Sequence, residues 1–231
     1  KLKSTEVDAS SHWAFQPPKE PKLPEVKNSK WGRSEIDSFI LRQLEEQNLS
    51  PMPAASPRVL VRRIYFDLLG LPPTPDQVDE FLKNSAKDQE SSIGNLVDSL
   101  LESSHYGERW GRHWLDVARY AEDQAHTFGV KKRANAHQYR DWVIKMFNED
   151  LPFDKFIKFQ LAGDLIENES EDRFRKFAGL GFLGLGAQYY KNSDKAQAEA
   201  DELDDTIDTV TRGFLGLTVS CARCHDHKFD P

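Results

Sequence analysis

Apolar residues recur at intervals of three or four positions along most of this chain, which is the period of an amphipathic α-helix. The first such stripe consists of Ile36, Phe39, Ile40 and Leu44, and further stripes follow as far as Leu215. The sequence has no convincing run of alternating apolar and polar residues, the pattern of half-buried strands. It therefore predicts an all-α fold, an irregular multi-helix domain with short connections.

Residues at the ends of the predicted helices support this assignment. Ser34 with Asp37, and Thr74 with Gln77, have the spacing of a capping box, in which two side chains and two backbone N–H groups bind reciprocally. Gly70 follows an apolar stripe and is the residue type that most readily ends a helix. We expect helices to begin just after Ser34 and Thr74, and one to end at Gly70.

The N-terminal segment, residues 1–30, differs in composition from the remainder. It holds four of the twelve prolines and no glycine, which favours an extended segment. We predict an extended arm or connector at residues 1–30 and a helical domain at residues 31–231. Within that domain, residues 124–135 and 184–194 are predicted to be irregular, and loops of that kind often carry functional residues.

The composition narrows the classes of partner. Charged residues make up 30% of the chain and hydrophobic residues 38%. This balance is typical of folded globular domains. The formal net charge of −7 disfavours a general nucleic-acid binder, which needs a basic face. We therefore predict no nucleic-acid partner. Because no apolar run reaches the length of a membrane span, we also predict no membrane span in this chain.

The chain has only two cysteines, and they lie three residues apart with a histidine directly after the second. Cys221, Cys224 and His225 thus form the Cys-x-x-Cys-His pattern of c-type haem attachment. This spacing lets two thiols reach two vinyl groups on neighbouring pyrrole rings, while the next side chain falls over the iron. We predict one covalent haem c, with His225 as an iron ligand, enclosed by the helical domain.

Two other interpretations of the cysteine pair stay open. Cys221 and Cys224 could bind zinc with His227 and one further ligand, which would make the chain a zinc-stabilised interaction module. Alternatively, the two cysteines are a surface thiol pair, redox-active or inert. The unbroken order Cys-Cys-His favours haem over both.

The second axial ligand of the iron is less constrained. His113 lies one helical turn from both Trp110 and Val117, so we predict that it is buried on an apolar helix face and binds the iron. A core histidine bound to a carbonyl is the alternative. His126, in a predicted loop, is the next candidate ligand, and an open sixth position is equally compatible with the sequence.

Charged residues near these segments suggest further contacts. Four arginines lie close to the aromatic segments and could bind haem propionates, surface ion pairs being the default interpretation. Four aspartates share one helical face, which is a solvated acidic surface or, alternatively, a calcium site. The arginines are Arg109, Arg112, Arg119 and Arg140, and the aspartates are Asp201, Asp204, Asp205 and Asp208.

Several longer segments also match a known family. They lie at residues 31–37, 66–74, 105–116, 139–143 and 214–231, and the last, which ends in CARCHDHKFDP, is highly specific. With these segments the chain resembles the planctomycete-type cytochrome domain of large secreted bacterial proteins. The resemblance covers nearly the whole chain from His12.

The resemblance implies a wider context for the domain. Members usually continue into a second large domain of unknown function and often follow a smaller cytochrome-like domain, so we expect this chain to be a segment of a longer protein. The resemblance and covalent haem attachment together imply an extracytoplasmic location, a redox partner protein or domain, and an association with polysaccharide or sugar use.

The resulting prediction is a one-electron-transfer domain in an extracytoplasmic oxidative pathway, rather than a complete enzyme. The enzymatic alternative is a haem whose open iron site acts on a small substrate.

Overall fold

A computed structural model describes residue 13 and residues 16–126, 129–166, 173–186 and 194–225. The chain divides into two compact units, Lys1–Ala55 and Ser56–Pro231, and each is described by itself. Both units are helical in their described parts, which confirms the predicted all-α class. No helix in those parts has the length and apolarity needed to cross a lipid bilayer.

The regular elements are as follows. The first unit contains helix α1 (Glu35–Glu46). The second contains α2 (Pro57–Leu69), α3 (Pro75–Ser85), α4 (Gln89–Leu101), α5 (Ser104–Val117), β1 (Asp123–His126), β2 (Gly129–Lys132), α6 (Ala136–Asn148), α7 (Phe153–Ala162), α8 (Arg173–Ala178), α9 (Gly181–Gly184) and α10 (Lys195–Val210). A π-helical turn (Thr211–Leu215) and a 3-10 helix (Ser220–Arg223) follow α10.

In the first unit, α1 fixes the extended segment that precedes it. The predicted capping box of Ser34 and Asp37 is present. Backbone N–H groups of Arg33 and Ser34 donate to the Asp37 carboxylate at 2.8 and 2.9 Å, and these bonds lower the pKa of Asp37. The Glu45 carboxylate accepts from the backbone N–H of Lys27 at 2.9 Å. Residues before α1 are therefore held to it by charge-assisted hydrogen bonds rather than by helix formation.

Helices α2, α3 and α4 share a small core in the second unit. Its buried residues are Val61, Tyr65, Phe81 and Leu100. The chain turns from α2 to α3 at Gly70, whose φ of +72° is the left-handed conformation predicted for a helix-ending glycine. The next helix starts at the predicted capping box, where Thr74 accepts from the backbone of Gln77 and the Gln77 side chain accepts from Thr74.

A larger core lies among α5, α6, α7 and α9. Trp142 is fully buried there, stacked on Tyr139 and Phe156 at centroid distances of 6.1 and 5.3 Å. Gln160, also fully buried, accepts hydrogen bonds from Trp114 Nε1 at 2.7 Å and from the Tyr139 hydroxyl at 2.6 Å. The polar atoms of these aromatic side chains are thus satisfied inside an apolar core.

Two local predictions were wrong. Residues 124–135, predicted to be irregular, include strands β1 and β2, which pair antiparallel from Asp123 opposite Lys132 to His126 opposite Gly129. Four-residue strands are too short to give a clear alternating pattern.

The helical stripes of the sequence include one over residues 171–183, which predicts a single helix there, but α8 and α9 are separated by a turn at Gly179 and Leu180. A Cβ on Gly179 would lie 2.8 Å from the Phe159 carbonyl oxygen. Close contact with α7 therefore requires glycine at this turn.

Candidate functional site

Cys221 and Cys224 lie on one tight turn near the end of the described chain. Both are free thiols exposed to solvent, and His225, also exposed, follows directly. The backbone N–H groups of Cys224 and His225 both donate to the Cys221 carbonyl oxygen at 3.3 Å. The turn therefore presents two thiols and an imidazole together at an accessible surface, a donor set that fits the covalent attachment of a haem.

Arg223, between the two cysteines, anchors this turn to α10. Its Nη2 lies 2.7 Å from Asp201 Oδ1, and its Nη1 lies 3.5 Å from Asp204 Oδ2. The hydrogen bond from Arg223 lowers the pKa of Asp201, and the same bond raises the pKa of Arg223. Asp201 and Asp204 thus hold the cysteine-bearing turn in place through charge.

The acidic face of α10 is used for ion pairs. Besides Asp201 and Asp204, Asp205 is paired with Arg119, and Asp208 is paired with Arg212 at 2.8 Å. Among the described residues, no group of three or more acidic, histidine or cysteine side chains could hold a metal ion. Each of the four predicted aspartates is thus paired with an arginine.

His113 is not where the sequence placed it. The predicted burial is wrong, because His113 is exposed, and its neighbours Trp110 and Val117 are 37% and 43% exposed. The buried residues of α5 are instead Gly107 and Gly111, which lie against α6, and Trp114 is partly buried against the core. Trp110, His113 and Val117 form an exposed stripe on α5, and the Trp110 and His113 rings are 5.5 Å apart.

Two contacts indicate how far apart the exposed stripe and the cysteine turn lie along the direction of α10. A Cβ on Gly213 would lie 3.2 Å from Val117 Cγ1, so the stripe meets the chain just beyond the end of α10. Arg223 is anchored at Asp204, nine residues before Gly213. That interval corresponds to roughly 13 Å of helical rise. The described contacts do not bring His113 and His225 together.

Two other histidines, His126 and His227, were predicted as possible metal ligands. The backbone of His126 ends strand β1, paired with Gly129, instead of lying in an irregular loop. His227, which the zinc alternative requires, lies outside the described residues.

Three of the four predicted arginines have other surroundings. Arg109 packs at the end of α2, where a Cβ on Gly70 would lie 2.7 Å from its Cδ. Arg112 is exposed, and Arg140 is ion-paired with Glu122 and with its neighbour Asp141. These contacts, with α2 for Arg109 and with the segment before β1 for Arg140, do not involve the cysteine turn.

Arg119 is the exception, because it contacts the helix that anchors the cysteine turn. Its Nη1 is bonded to Asp205, next in sequence to Asp204. Arg133 approaches from the residue after β2 and donates to the carbonyl oxygens of Gly184 and Gly186. Arg133 was missed in the sequence because this pairing depends on the β1–β2 hairpin, which has no clear sequence signal.

The fold and the site define the class of this protein. It is an all-α multi-helix domain that has an exposed Cys-x-x-Cys-His turn anchored to its last long helix. The chain matches the family model PSCyt2, described as a protein of unknown function (DUF1549), over residues 35–231. It therefore belongs to this planctomycete-type domain family. No curated protein and no solved structure gives a significant match.

Proposed function

We propose that this chain is a c-type cytochrome domain that transfers single electrons. The observation that carries the proposal is the exposed turn on which Cys221, Cys224 and His225 lie together. Each thiol would add across one vinyl group, the sulfur bonding one carbon and the proton the other, so the step needs no oxidant. His225 would supply a nitrogen lone pair to the iron.

The chain's own residues would position the group. The Arg223 ion pairs with Asp201 and Asp204 hold the thiols on α10, which limits where an attached haem can lie. Exposure of the turn gives a redox partner protein or domain access to the haem edge. The haem itself supplies the ferric–ferrous couple, whose potential depends on ligation, burial and hydrogen bonds.

The proposal includes an extracytoplasmic location, because attachment of this type is normally completed outside the bacterial cytoplasmic membrane. It also includes a role in an oxidative pathway linked to polysaccharide or sugar use, with the following domain of a longer protein as a partner. The family resemblance supports both parts.

Absorption spectroscopy with mass spectrometry tests the proposal. The chain would be exported in a bacterium that matures c-type cytochromes and then purified. We expect a Soret band, and a denatured mass that exceeds the chain mass by one haem. Colour that extracts into acidified acetone would overturn covalent attachment. A colourless protein holding one equivalent of zinc would favour the interaction module.

A second candidate function is a haem whose open sixth position binds a small substrate. The observation that favours it is a separation along the chain. Val117, one helical turn from His113, lies near Gly213, whereas Arg223 of the cysteine turn binds Asp204, nine residues earlier. Cyanide distinguishes the two functions. A Soret band that shifts with cyanide in the unmodified protein indicates an open site, and an unchanged band indicates six-coordinate iron.

For the electron-transfer function we keep His113 as the proposed sixth ligand because it lies in residues 105–116, one of the segments that carry the family resemblance. We expect His113→Ala to retain covalent haem, since the cysteine turn is intact. The iron should change from low-spin to high-spin and bind cyanide. His105→Ala is the matched control, because His105 is exposed on the same helix. A variant that stays low-spin and closed would exclude His113 and make His126 the next candidate.

A further inference from the structure

Arg119 occupies a backbone position that normally favours glycine. It follows the C-cap of α5 with a φ of +58°. This is the left-handed region, which side chains other than glycine and asparagine seldom adopt. Glycine would end the helix with less strain. An arginine at this position therefore points to a role of its side chain that offsets this cost.

Only one of the three guanidinium nitrogens of Arg119 has a hydrogen-bond acceptor among the described residues. Nη1 donates to the carboxylate and the backbone carbonyl of Asp205. Nε and Nη2 are both buried and have no acceptor among the described residues. These two atoms form one edge of the guanidinium, and their N–H groups point in parallel. That edge is the fork that binds a carboxylate through two parallel hydrogen bonds.

Arg133 brings a second positive charge to the same place. It donates to the carbonyl oxygens of Gly184, at 2.9 Å, and Gly186, while its Nε is buried without an acceptor in the described part of the chain. Both arginines contact Gly186, because its carbonyl oxygen accepts from Arg133 and a Cβ on it would lie 3.5 Å from Arg119 Nη2. The pKa of Arg133 is lowered mainly by burial and, to a smaller extent, by repulsion from the positive charge of Arg119.

Buried guanidinium nitrogens without acceptors indicate the kind of ligand that is missing. Among the ion pairs of the described residues, Asp205 is the one carboxylate bonded to either arginine, so two positive charges face one negative charge. Guanidinium N–H groups that are removed from water in this way cost free energy unless they are paired. A cation or a neutral apolar group would leave these N–H groups unpaired, whereas a planar carboxylate would match the Nε–Nη2 edge.

We propose that Arg119 and Arg133 form a carboxylate-binding site, with the Nε–Nη2 edge of Arg119 as its principal contact. If the proposed function holds, the carboxylate is a haem propionate, and this assignment rests on that function. Arg223 of the cysteine turn binds Asp204, and Arg119 binds the adjacent Asp205. The cysteine turn and Arg119 are therefore anchored to neighbouring residues of α10.

Binding of malonate, a small dicarboxylate, tests the site through its effect on the thermal unfolding midpoint. Two proteins are compared, the unmodified chain and Cys221→Ser/Cys224→Ser, which cannot bond haem. We expect malonate to raise the midpoint of the double variant but not of the haem-loaded chain, where a propionate fills the site. Stabilisation of both proteins would show that the site takes a free carboxylate instead.

Arg119→Lys, made in the double variant, is the decisive control because it keeps the charge but removes the fork. We expect malonate to bind it roughly tenfold more weakly, the loss of one charge-assisted hydrogen bond. Arg119→Gly should fold, since glycine suits the left-handed φ at this position, and should lose the response. Equal malonate binding with and without Arg119, or no response in the double variant, would overturn the site.

Failure of the proposed function has a separate signature. A purified chain without haem would refute the cytochrome assignment, yet its malonate response, and the loss of that response in Arg119→Lys, would still support a carboxylate site. Haem present together with an unchanged malonate response in the arginine variants would refute the site alone.

Discussion

Replacement of Cys221 and Cys224 together by serine is expected to remove all covalently attached haem from the purified protein. A serine hydroxyl does not replace the thiol in forming a thioether, so neither vinyl group would be bonded. Both thiols are exposed, so the fold should not depend on them. Intact mass spectrometry should show the chain mass alone, and haem staining of a denaturing gel should be negative.

Single variants and a neighbouring control sharpen this test. Cys221→Ser and Cys224→Ser should each allow at most one thioether, so haem yield should fall and the remaining haem should have an altered spectrum. Ser220→Ala, in the same 3-10 helix, keeps both thiols and should match the unmodified protein. Haem mass retained by the double variant would contradict attachment at this turn, whereas unfolding of the double variant would indicate a structural role for the cysteines.

The helical architecture could be predicted because its signals are local. Ser34 and Asp37 form their capping box within one turn of chain, as do Thr74 and Gln77, and Gly70 ends α2 through its own backbone conformation. Apolar periodicity and helix caps act over three or four residues. Such features are written in the sequence almost independently of the tertiary fold.

The predicted burial of His113 failed for a physical reason. Apolar periodicity placed it on a buried face with Trp110, but the inward tryptophan of α5 is Trp114, whose indole N–H is bonded to Gln160. The α5–α6 contact is made by glycines, which periodicity does not count as apolar. A close backbone contact can therefore rotate a helix away from the orientation that its large side chains suggest.

The arginine site could be predicted only in part. Arg119 was among the sequence candidates for propionate binding, but nothing local distinguished it from Arg112 or Arg140. Its left-handed backbone, its bond to Asp205 and the approach of Arg133 all depend on long-range packing. The cysteine turn is the opposite case, because its chemistry is contained in five consecutive residues.

The close contact between α5 and α6 leads to the second prediction. Gly107 donates its backbone N–H to Asn148 Oδ1 at 2.7 Å, and a Cβ at this position would lie 2.3 Å from the Ile144 carbonyl oxygen. Because that oxygen belongs to the backbone of α6, a methyl group can be accommodated only if the two helices move apart. Such a movement would disturb the core around Trp142 and the orientation of the exposed stripe on α5.

We expect Gly107→Ala to lower the free energy of unfolding by about 3 kcal/mol, the upper part of the range for overpacked sites. Gly94→Ala is the matched control, because Gly94 also lies inside a helix, α4, but no atom would approach its Cβ within 4 Å. Alanine there should raise the free energy of unfolding by roughly 0.5–1 kcal/mol, since glycine loses more backbone entropy on folding. Urea unfolding of both variants measures the difference, and a similar change in the two would contradict a tight contact between α5 and α6.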